Sequence, residues 1–386
     1  MSTAERRIRI DTATLEALAQ NWVGFVDSGR IVGGVLLLAQ DGELRYASAR
    51  GWADREQRIA VTRDTRFRLA SLTKLVTSVT ALSLCEQGLL NLDGPISEWL
   101  ADFRPGLSNG RQASINLRQL LSHTAGLSYG FEQPPGNAYE RAGVCDGLAH
   151  SGISLAENLQ RLARLPLLFE PGSRWQYSLA TDVVGALIEQ VTGLSLAQAC
   201  QHWVLAPLGM SASGFAPMDG TVLARVYQDA EGGPRAISGQ TTLALDTGRA
   251  WLNSERALDP GAYPSGGAGL LSSADDYLRL LECLRLGGAP LLSAATTADL
   301  FSDALGGRGI ERRGPGWGFG LGTLLLRDPQ AAGQPQGAGT WSWCGLYGSH
   351  YWVDPRSGLS LVAVTNTGVV GAWGGFADAL VEAIYT

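Results

Sequence analysis

Strand-forming sequence lies near both ends of this 386-residue chain, and the long stretch between the two ends has mostly helical patterns. Residues 31–39 and 43–49 are rich in β-forming residues and are joined by the turn Gln40-Asp41-Gly42. Strand-like segments return late in the chain, at 317–326, 348–354 and 359–366.

Helical periodicity accompanies these strands and dominates the middle of the chain. Short helical segments separated by Pro and Gly turns fill most of residues 90–260. The pattern predicts an α/β fold, with an antiparallel sheet flanked by helices and an inserted, mostly helical subdomain. We expect residues 1–92 and 260–386 to form the α/β sandwich and residues 93–259 to form the inserted subdomain. The longer helices outside the insertion are predicted at 11–28, 69–87 and 375–385.

Charge and hydropathy exclude several partner classes. The net charge of -6 provides no basic surface for nucleic acid. No apolar run approaches the roughly 20 residues that cross a bilayer. The first residues, Met1–Arg7, continue into an amphipathic stretch and lack the apolar segment of a secretion signal. We therefore expect a cytoplasmic protein that acts on a small molecule, without nucleic acid or membrane insertion; the sequence indicates no oligomeric state.

The potential metal ligands are scattered along the chain. The five cysteines are odd in number and form no C-x-x-C pair, which argues against disulfides and against zinc. The four histidines show no H-x-H or H-E-x-x-H spacing. The Gly-rich run 314–320 opens a strand, which is unsuitable for a dinucleotide. We predict neither metal nor cofactor. The residues concerned are Cys85, Cys145, Cys200, Cys283, Cys344, His123, His150, His202 and His350.

One residue type is almost absent: Lys and Arg total 30, and Lys74 is the single lysine among them. Arginine keeps its charge at ordinary pH, whereas a desolvated lysine can lose its proton. Ser71 precedes Lys74 by three residues at a predicted helix start, which places both side chains on one helix face. A neutral amine there can activate the serine hydroxyl, which is a poor nucleophile by itself. The S-x-x-K pattern alone is weak evidence, but it makes Ser71 and Lys74 candidate catalytic residues.

Two further segments can complete such a site. Tyr177 lies where the loop 171–179 enters a predicted helix, so its phenol can act as a second proton carrier. Taken alone, this segment fits a buried structural tyrosine better. The segment 341–350 is dense in aromatic residues and glycine at the edge of a predicted strand. Backbone N–H groups can approach a substrate closely there, as an oxyanion hole requires, although an aromatic hairpin explains it equally well.

Together the three segments resemble the signature of the serine β-lactamase and penicillin-binding-protein superfamily, in particular class C β-lactamases and family VIII carboxylesterases. Ser71-Leu72-Thr73-Lys74 is similar to its S-x-x-K, Tyr177-Ser178-Leu179 to its Y-x-N and Trp343-Cys344-Gly345 to its K-T-G. The resemblance covers nearly the whole chain. It implies a serine β-lactamase-like fold, a Ser71 acyl-enzyme and an acid–base pair of Lys74 and Tyr177.

The resemblance also implies an oxyanion hole made of the backbone N–H groups of Ser71 and Leu346. Leu179 and Trp343 depart from the family pattern, which has Asn and Lys at these positions. Apolar side chains cannot provide the hydrogen bonds that a lactam amide and carboxylate need, which favours neutral acyl esters. The residues that we expect to line the substrate pocket are Trp343, Gly345, Leu179, Tyr129 and His350.

A competing nucleophile motif occurs at Gly126-Leu127-Ser128-Tyr129-Gly130, which fits G-x-S-x-G. That motif requires a strand before the serine and a helix after it, whereas a predicted helix precedes Ser128 and a Pro-rich loop follows. We therefore favour Ser71. For His123, in a family-like stretch, we expect a structural hydrogen-bonding role.

The sequence predicts a serine carboxylesterase that hydrolyses short-chain acyl esters, with Lys74 and Tyr177 handling protons. A class C-like β-lactamase or D-amino-acid peptidase is the chemically closest alternative. A penicillin-binding-type module that only binds a ligand is a rival of another class, which the complete set of Ser71, Lys74 and Tyr177 disfavours. Neither the natural ester nor which of Lys74 and Tyr177 is the base follows from the sequence.

Overall fold

The computed structural model describes residues 8–149 and 152–386, so the interpretation of Met1–Arg7 lies outside the described residues. Its strands are β1 Gly33–Gln40, β2 Glu43–Asp54, β3 Ile59–Ala60, β4 Phe67–Arg68, β5 Tyr227–Gln228, β6 Arg235–Ala236, β7 Gln240–Ala244, β8 Arg249–Asn253, β9 Leu271–Ser272, β10 Trp317–Phe319, β11 Leu324–Leu326, β12 Trp341–Gly345, β13 Ser349–Asp354, β14 Leu359–Thr365 and β15 Thr367–Gly368.

Most helices begin at a side chain that caps their first backbone N–H groups. The first helix, for example, starts after Asp11, whose carboxylate accepts the Thr14 N–H at 2.9 Å. The helices are α1 Thr12–Asp27, α2 Thr73–Glu86, α3 Leu117–Leu121, α4 Ala138–Arg141, α5 Leu155–Ala163, α6 Ala180–Thr192, α7 Leu196–Cys200, α8 Ala274–Arg285, α9 Ala294–Leu300, α10 Pro329–Ala332 and α11 Gly375–Tyr385. Short 3₁₀ turns include Ala70–Leu72 and Arg256–Leu258.

The main sheet joins strands from both ends of the chain. Its eight strands have the order β10-β11-β12-β13-β14-β1-β2-β3, and every neighbouring pair is antiparallel. The two ends meet at the β1–β14 pair, where Leu37 lies opposite Val362. This topology confirms the predicted α/β fold with an antiparallel sheet built from early and late strands.

Each face of the sheet packs against its own layer of helices. Successive side chains of β1 alternate between the two faces. Leu36 and Leu38 belong to a core with Trp22 of α1 and Phe376 of α11. Val35 and Leu37 belong to the larger core, which also contains apolar residues of α2 and α8. All eight residues of β1 are buried, as expected for a strand covered on both sides.

One expectation about local structure is wrong. The segment 317–326 was expected to be one strand, but it forms the antiparallel pair β10 and β11, with Gly320–Thr323 as the turn between them. Gly322 has φ 122°, a conformation that favours glycine. The middle of the chain, which is predicted to be mostly helical, also contains the β7–β8 hairpin. The division into a sandwich and an insertion at residues 93–259 stays a prediction.

Two other properties bear on the class of protein. Within the described residues, no single helix is long and apolar enough to span a membrane; α6 and the segment Leu196–Leu205, bent by 81°, reach that length only together. The five cysteines are free thiols.

Candidate active site

Ser71 lies in the 3₁₀ turn that leads into α2. The preceding residue, Ala70, has φ 46°, so the backbone turns sharply just before the serine. Ser71 is 9% exposed, at the boundary between the buried core and the surface. Its Oγ accepts a hydrogen bond from the Tyr177 hydroxyl at 2.7 Å and one from Lys74 Nζ at 3.4 Å. The structure therefore brings together the three residues that the sequence analysis selected.

Lys74 has no solvent-exposed surface. Its Nζ donates hydrogen bonds to the Tyr129 hydroxyl and to the Gly267 carbonyl oxygen, both at 2.9 Å. Both acceptors are uncharged, and burial lowers the pKa of Lys74 to about 7, although the Asp182 carboxyl acts in the opposite direction. Lys74 can therefore exist as a neutral amine near neutral pH, which is the form that accepts a proton.

Tyr177 is held by aromatic neighbours. Its ring lies edge-on to the Trp343 indole, with the ring centroids 5.2 Å apart, and Lys74 Nζ lies 4.8 Å from the centroid of the Tyr177 ring. Burial raises the pKa of Tyr177, and the hydrogen bond to Ser71 only partly offsets this. Near neutral pH, Tyr177 is therefore a protonated phenol that donates its hydrogen bond to Ser71.

Strand β12 passes very close to the turn that carries Ser71. A Cβ atom built on Gly345 would lie 2.3 Å from the Leu69 carbonyl oxygen, so only glycine fits. Leu346 follows Gly345 directly, at the turn into β13. This close approach is what an oxyanion hole between a strand edge and a serine turn requires.

A sequence profile of the Beta-lactamase family matches residues 18–378. The chain belongs to the Beta-lactamase family. Within this family, Esterase EstB of Burkholderia gladioli is 42% identical over 388 residues, covering 100% of this chain and 96% of that protein. Monacolin J acid methylbutanoyltransferase of Aspergillus terreus is 28% identical over 371 residues, covering 86% of each protein.

Two solved structures have a similar fold over nearly the whole chain. EstCE1, described as a hydrolase with promiscuous acyltransferase activity, is similar with a TM-score of 0.93, 41% identity and coverage of 100% of both chains. A penicillin-binding protein from Bacillus halodurans has a TM-score of 0.70 at 22% identity, covering 93% of this chain and 98% of that chain. At this lower identity the likeness concerns the fold alone.

Three of the five residues expected to line the pocket lie at or next to the cluster around Ser71. Trp343 contacts Tyr177, and Gly345 packs against the backbone just before Ser71. Tyr129 has its hydroxyl on Lys74, while its ring stacks on Phe131 at a centroid distance of 4.5 Å. Tyr129 is only 2% exposed, so it has little surface for a substrate to contact. Its hydroxyl instead contacts the buried amine of Lys74.

The expectations for Leu179 and His350 are wrong. Leu179 has no exposed surface, because it lies directly before α6 in the large core. His350 points to the opposite face of the sheet, where its ring packs on Phe376 and its Nδ1 lies 2.9 Å from the Gly371 carbonyl oxygen. Side chains alternate along a strand, so Tyr351 faces the large core and His350 the other core.

Ser128 and His123 have structural contacts. Ser128 is fully buried, and its Oγ donates to the Tyr129 carbonyl oxygen at 3.0 Å. His123 Nδ1 lies 3.0 Å from Ser178 Oγ, and its ring is edge-on to Tyr177 at 5.0 Å. Burial lowers the pKa of His123 well below its usual value, so the ring is neutral. His123 thus supports the segment that carries Tyr177.

A buried layer of polar groups lies behind Lys74, and no sequence pattern predicts it. Asp182 accepts hydrogen bonds from Ser265 Oγ at 2.7 Å and from the Gly267 N–H at 3.0 Å, and Gly267 in turn binds Lys74. Burial raises the pKa of Asp182, and it raises the pKa of Asp146 to about 7. Nothing in the sequence links the Gly-rich run 264–269 to Asp182.

Proposed function

We propose that this protein is a serine carboxylesterase that hydrolyses short-chain acyl esters through an acyl-enzyme on Ser71. The observation that carries this proposal is the Ser71 hydroxyl within hydrogen-bond distance of both a buried lysine with a lowered pKa and a protonated phenol. A nucleophile, a base and a hydrogen-bond donor in contact are the requirements of covalent acyl transfer. EstB and EstCE1, at 42% and 41% identity, are described as an esterase and a hydrolase, which supports the same activity.

In the acylation step, Ser71 Oγ attacks the ester carbonyl carbon. The Oγ–C bond forms while the carbonyl π electrons move to the carbonyl oxygen, and the Ser71 proton passes to neutral Lys74. Tyr177 donates a hydrogen bond to Oγ throughout and lowers the energy of the developing alkoxide. The raised pKa of Tyr177 makes its phenolate rare at neutral pH, which favours Lys74 as the base.

The tetrahedral intermediate then collapses. The carbonyl re-forms, the bond to the alkoxy oxygen breaks, and the departing oxygen receives the proton held by the Lys74 and Tyr177 pair. In deacylation, water attacks the acyl carbon and gives its proton to the same pair. The bond to Ser71 breaks, Oγ recovers a proton and the carboxylic acid leaves. The N–H groups of Ser71 and Leu346 are the proposed oxyanion hole in both halves.

The substrate class follows from the aromatic surroundings of Tyr177. Trp343 and Phe319 contact each other edge-on at 5.3 Å, and Trp343 also contacts Tyr177. Such a wall offers no cation to a lactam carboxylate, whereas a neutral acyl ester needs none. We therefore favour an esterase over a β-lactamase or peptidase. A buried Lys74 that can be neutral near neutral pH is suited to proton transfer, which argues against a module that only binds ligands.

Acyl transfer is a second proposed activity. EstCE1 is described as having promiscuous acyltransferase activity, and the Aspergillus terreus relative is named a methylbutanoyltransferase. In such a reaction an alcohol replaces water in deacylation and loses its proton to the same pair. Membership of carboxylesterase family VIII, a cytoplasmic location and the absence of nucleic-acid partners are also proposals. Five free thiols fit a reducing compartment.

The direct test is active-site labelling combined with ester hydrolysis. A fluorophosphonate probe is expected to label Ser71, and Ser71→Ala is expected to lose nearly all hydrolysis of p-nitrophenyl butyrate. Ser128→Ala is the matched control, because Ser128 is a buried serine outside the proposed machinery. Peptide mapping that places the label on Ser128 would refute the proposed nucleophile. Labelling of Ser71 without any ester turnover would instead support the ligand-binding module.

A further inference from the structure

A small cavity lies beside the short strand pair β4–β9. Its volume is about 40 Å³, and its wall includes Arg68 and Leu271 from this pair, Asn253 and Arg256 from the β8 region, and Tyr347 after β12. A single water molecule needs about 10–15 Å³ of such cavity volume, so the cavity has room for roughly three non-hydrogen atoms. A carboxylate group has three.

Arg68 brings a buried positive charge to this wall. Its terminal nitrogens donate hydrogen bonds to the carbonyl oxygens of Ala224 at 2.8 Å and Ser254 at 2.6 Å. Its Nε is buried and has no hydrogen-bond partner in the described part of the chain. Burial lowers the pKa of Arg68, as expected for a desolvated guanidinium without a neighbouring anion. A bound anion would satisfy both its charge and its free N–H group.

Arg256 adds a second cation. It donates hydrogen bonds to the carbonyl oxygens of Ala149 at 3.3 Å and Tyr263 at 2.7 Å, and its guanidinium lies 4.6 Å from the centroid of the Tyr263 ring. Among residues 8–149 and 152–386, Arg68 has no carboxylate partner. Asp259 also lines the cavity, where its Oδ1 accepts the Gly261 N–H at 2.8 Å. Two guanidinium groups and one carboxylate leave the wall with a net positive charge.

Several wall residues of the cavity are close in sequence to the residues proposed to carry out the reaction. Arg68 precedes Ser71 by three residues, and Tyr347 directly follows Leu346. Ala268, another wall residue, directly follows Gly267, whose carbonyl oxygen binds Lys74. Three residues of fully extended chain span about 10 Å at most, so the distance from Ser71 to the Arg68 backbone has this upper limit. An acyl chain of four to six carbons has a comparable length.

We propose that this cavity binds a carboxylate at the far end of the acyl group, so that the preferred substrates are half-esters of short dicarboxylic acids. The inference rests on the proposed esterase function and specifies its acyl side. The carboxylate would accept charge-assisted hydrogen bonds from the two guanidinium groups, including the free N–H of Arg68. Neutral short-chain esters remain substrates, since the reaction at Ser71 does not need this contact.

Two substrates of equal chain length test the proposal. Mono-p-nitrophenyl adipate and p-nitrophenyl hexanoate share a six-carbon acyl chain and a leaving group, and differ in the terminal carboxylate. We expect kcat/KM for the adipate half-ester to exceed that for the hexanoate by about tenfold or more, the usual effect of a hydrogen bond to a charged group. Salt screens the attraction between the carboxylate and the guanidinium groups. We therefore expect the ratio of the two kcat/KM values to fall as the ionic strength is raised.

Variants connect the preference to the cavity. Arg256→Gln is expected to bring the ratio close to one while changing kcat/KM for the hexanoate by less than about threefold. Arg256→Lys, which keeps the charge, should recover part of the preference. Arg164→Gln is the control, because Arg164 is an exposed arginine that does not line the cavity. Normal turnover of the hexanoate also shows that each variant is folded.

The outcomes separate this inference from the proposed function. Turnover of both esters at a ratio that Arg256→Gln leaves unchanged would overturn the carboxylate site while leaving the esterase intact. Inhibition by inorganic phosphate that depends on Arg256, with no preference for the half-ester, would reassign the cavity to a free anion and also overturn it. Competitive inhibition by adipate that Arg256→Gln abolishes would support it. If neither ester is hydrolysed and Ser71 is not labelled, the proposed function itself fails.

Discussion

Lys74 Nζ and the Tyr129 hydroxyl are hydrogen-bonded at 2.9 Å, whereas Lys74 Nζ is 3.4 Å from Ser71 Oγ. The amine is therefore held mainly by a neutral phenol and a peptide carbonyl, with the serine as its most distant partner. Neutral acceptors stabilise a buried ammonium less than a carboxylate in contact would, so the proton is lost more easily.

If Lys74 must lose and regain a proton, a permanent cation cannot replace it. We expect Lys74→Arg and Lys74→Ala each to reduce kcat for p-nitrophenyl butyrate by about 10²-fold or more, within the range of acid–base groups. Steady-state kinetics with matched thermal melting curves would measure this. Near-normal turnover by Lys74→Arg would mean that only the positive charge matters at this position.

Burial of Lys74 also makes stability depend on pH. The folded-state pKa is about 7 against an ordinary value of 10.5, so between these values the unfolded state binds the extra proton. Stability therefore rises with pH across this window, by about 1.4 kcal/mol per pH unit for one group. The variant Lys74→Met has no titratable group at this position, so it lacks this contribution to the pH dependence of stability.

We expect the free energy of unfolding of Lys74→Met, relative to the unmodified protein, to decrease as pH rises from 7.5 to 9.5. Urea denaturation at several pH values would measure the difference. The loss of the hydrogen bonds to Tyr129 and Gly267 changes the difference in unfolding free energy by the same amount at every pH, because neither group titrates in this range. A difference that does not change with pH would contradict a lowered pKa at Lys74.

Tyr129→Phe removes one of the two main acceptors of Lys74. Its loss should favour the neutral amine and move the rising limb of the pH–rate profile, set by Lys74, to lower pH. We also expect kcat to fall by about tenfold, because the amine becomes less basic and less well oriented. Tyr139→Phe is the control, since the Tyr139 hydroxyl accepts the Ser128 N–H at 3.0 Å and not Lys74. Equal pH profiles for the two variants would reduce Tyr129 to a packing role.

The aromatic wall predicts a preference among acyl donors. We expect a cephalosporin to place its carboxylate near Trp343, where the lysine of the family pattern is absent, and a missing partner costs about 1–3 kcal/mol. We expect kcat/KM for p-nitrophenyl acetate or butyrate to exceed that for a chromogenic cephalosporin by at least about 10²-fold. Colour assays of both substrates on one enzyme preparation would measure the two kcat/KM values. Comparable lactam hydrolysis would favour the β-lactamase alternative.

The sequence was most informative where covalent spacing fixes geometry. Ser71 and Lys74 are three residues apart on one helical turn, so their proximity follows from helix geometry. The preference for strands at both ends of the chain likewise led to the correct sheet. Tyr177 was harder to select, because its contact with Ser71 joins residues 106 positions apart. Tyr177 was selected because the three motifs together resemble those of one family.

Sequence reasoning failed where the answer depends on which way a side chain faces. His350 lies in β13 next to the correct segment, yet the alternation of the strand turns it toward Phe376. The contact of Asp182 with Gly267 joins residues 85 positions apart, and it depends on how α6 packs against the loop 264–269. No local pattern predicts such a contact, because only the tertiary fold brings the two residues together.

The burial of the only lysine has a practical consequence for handling the protein. Amine-directed reagents such as N-hydroxysuccinimide esters react with exposed, unprotonated amines, and the side chain of Lys74 has no exposed surface. In the folded state such a reagent does not reach this side chain. Treatment with an amine-directed reagent should therefore leave Lys74, and the reaction at Ser71, unchanged in the folded protein.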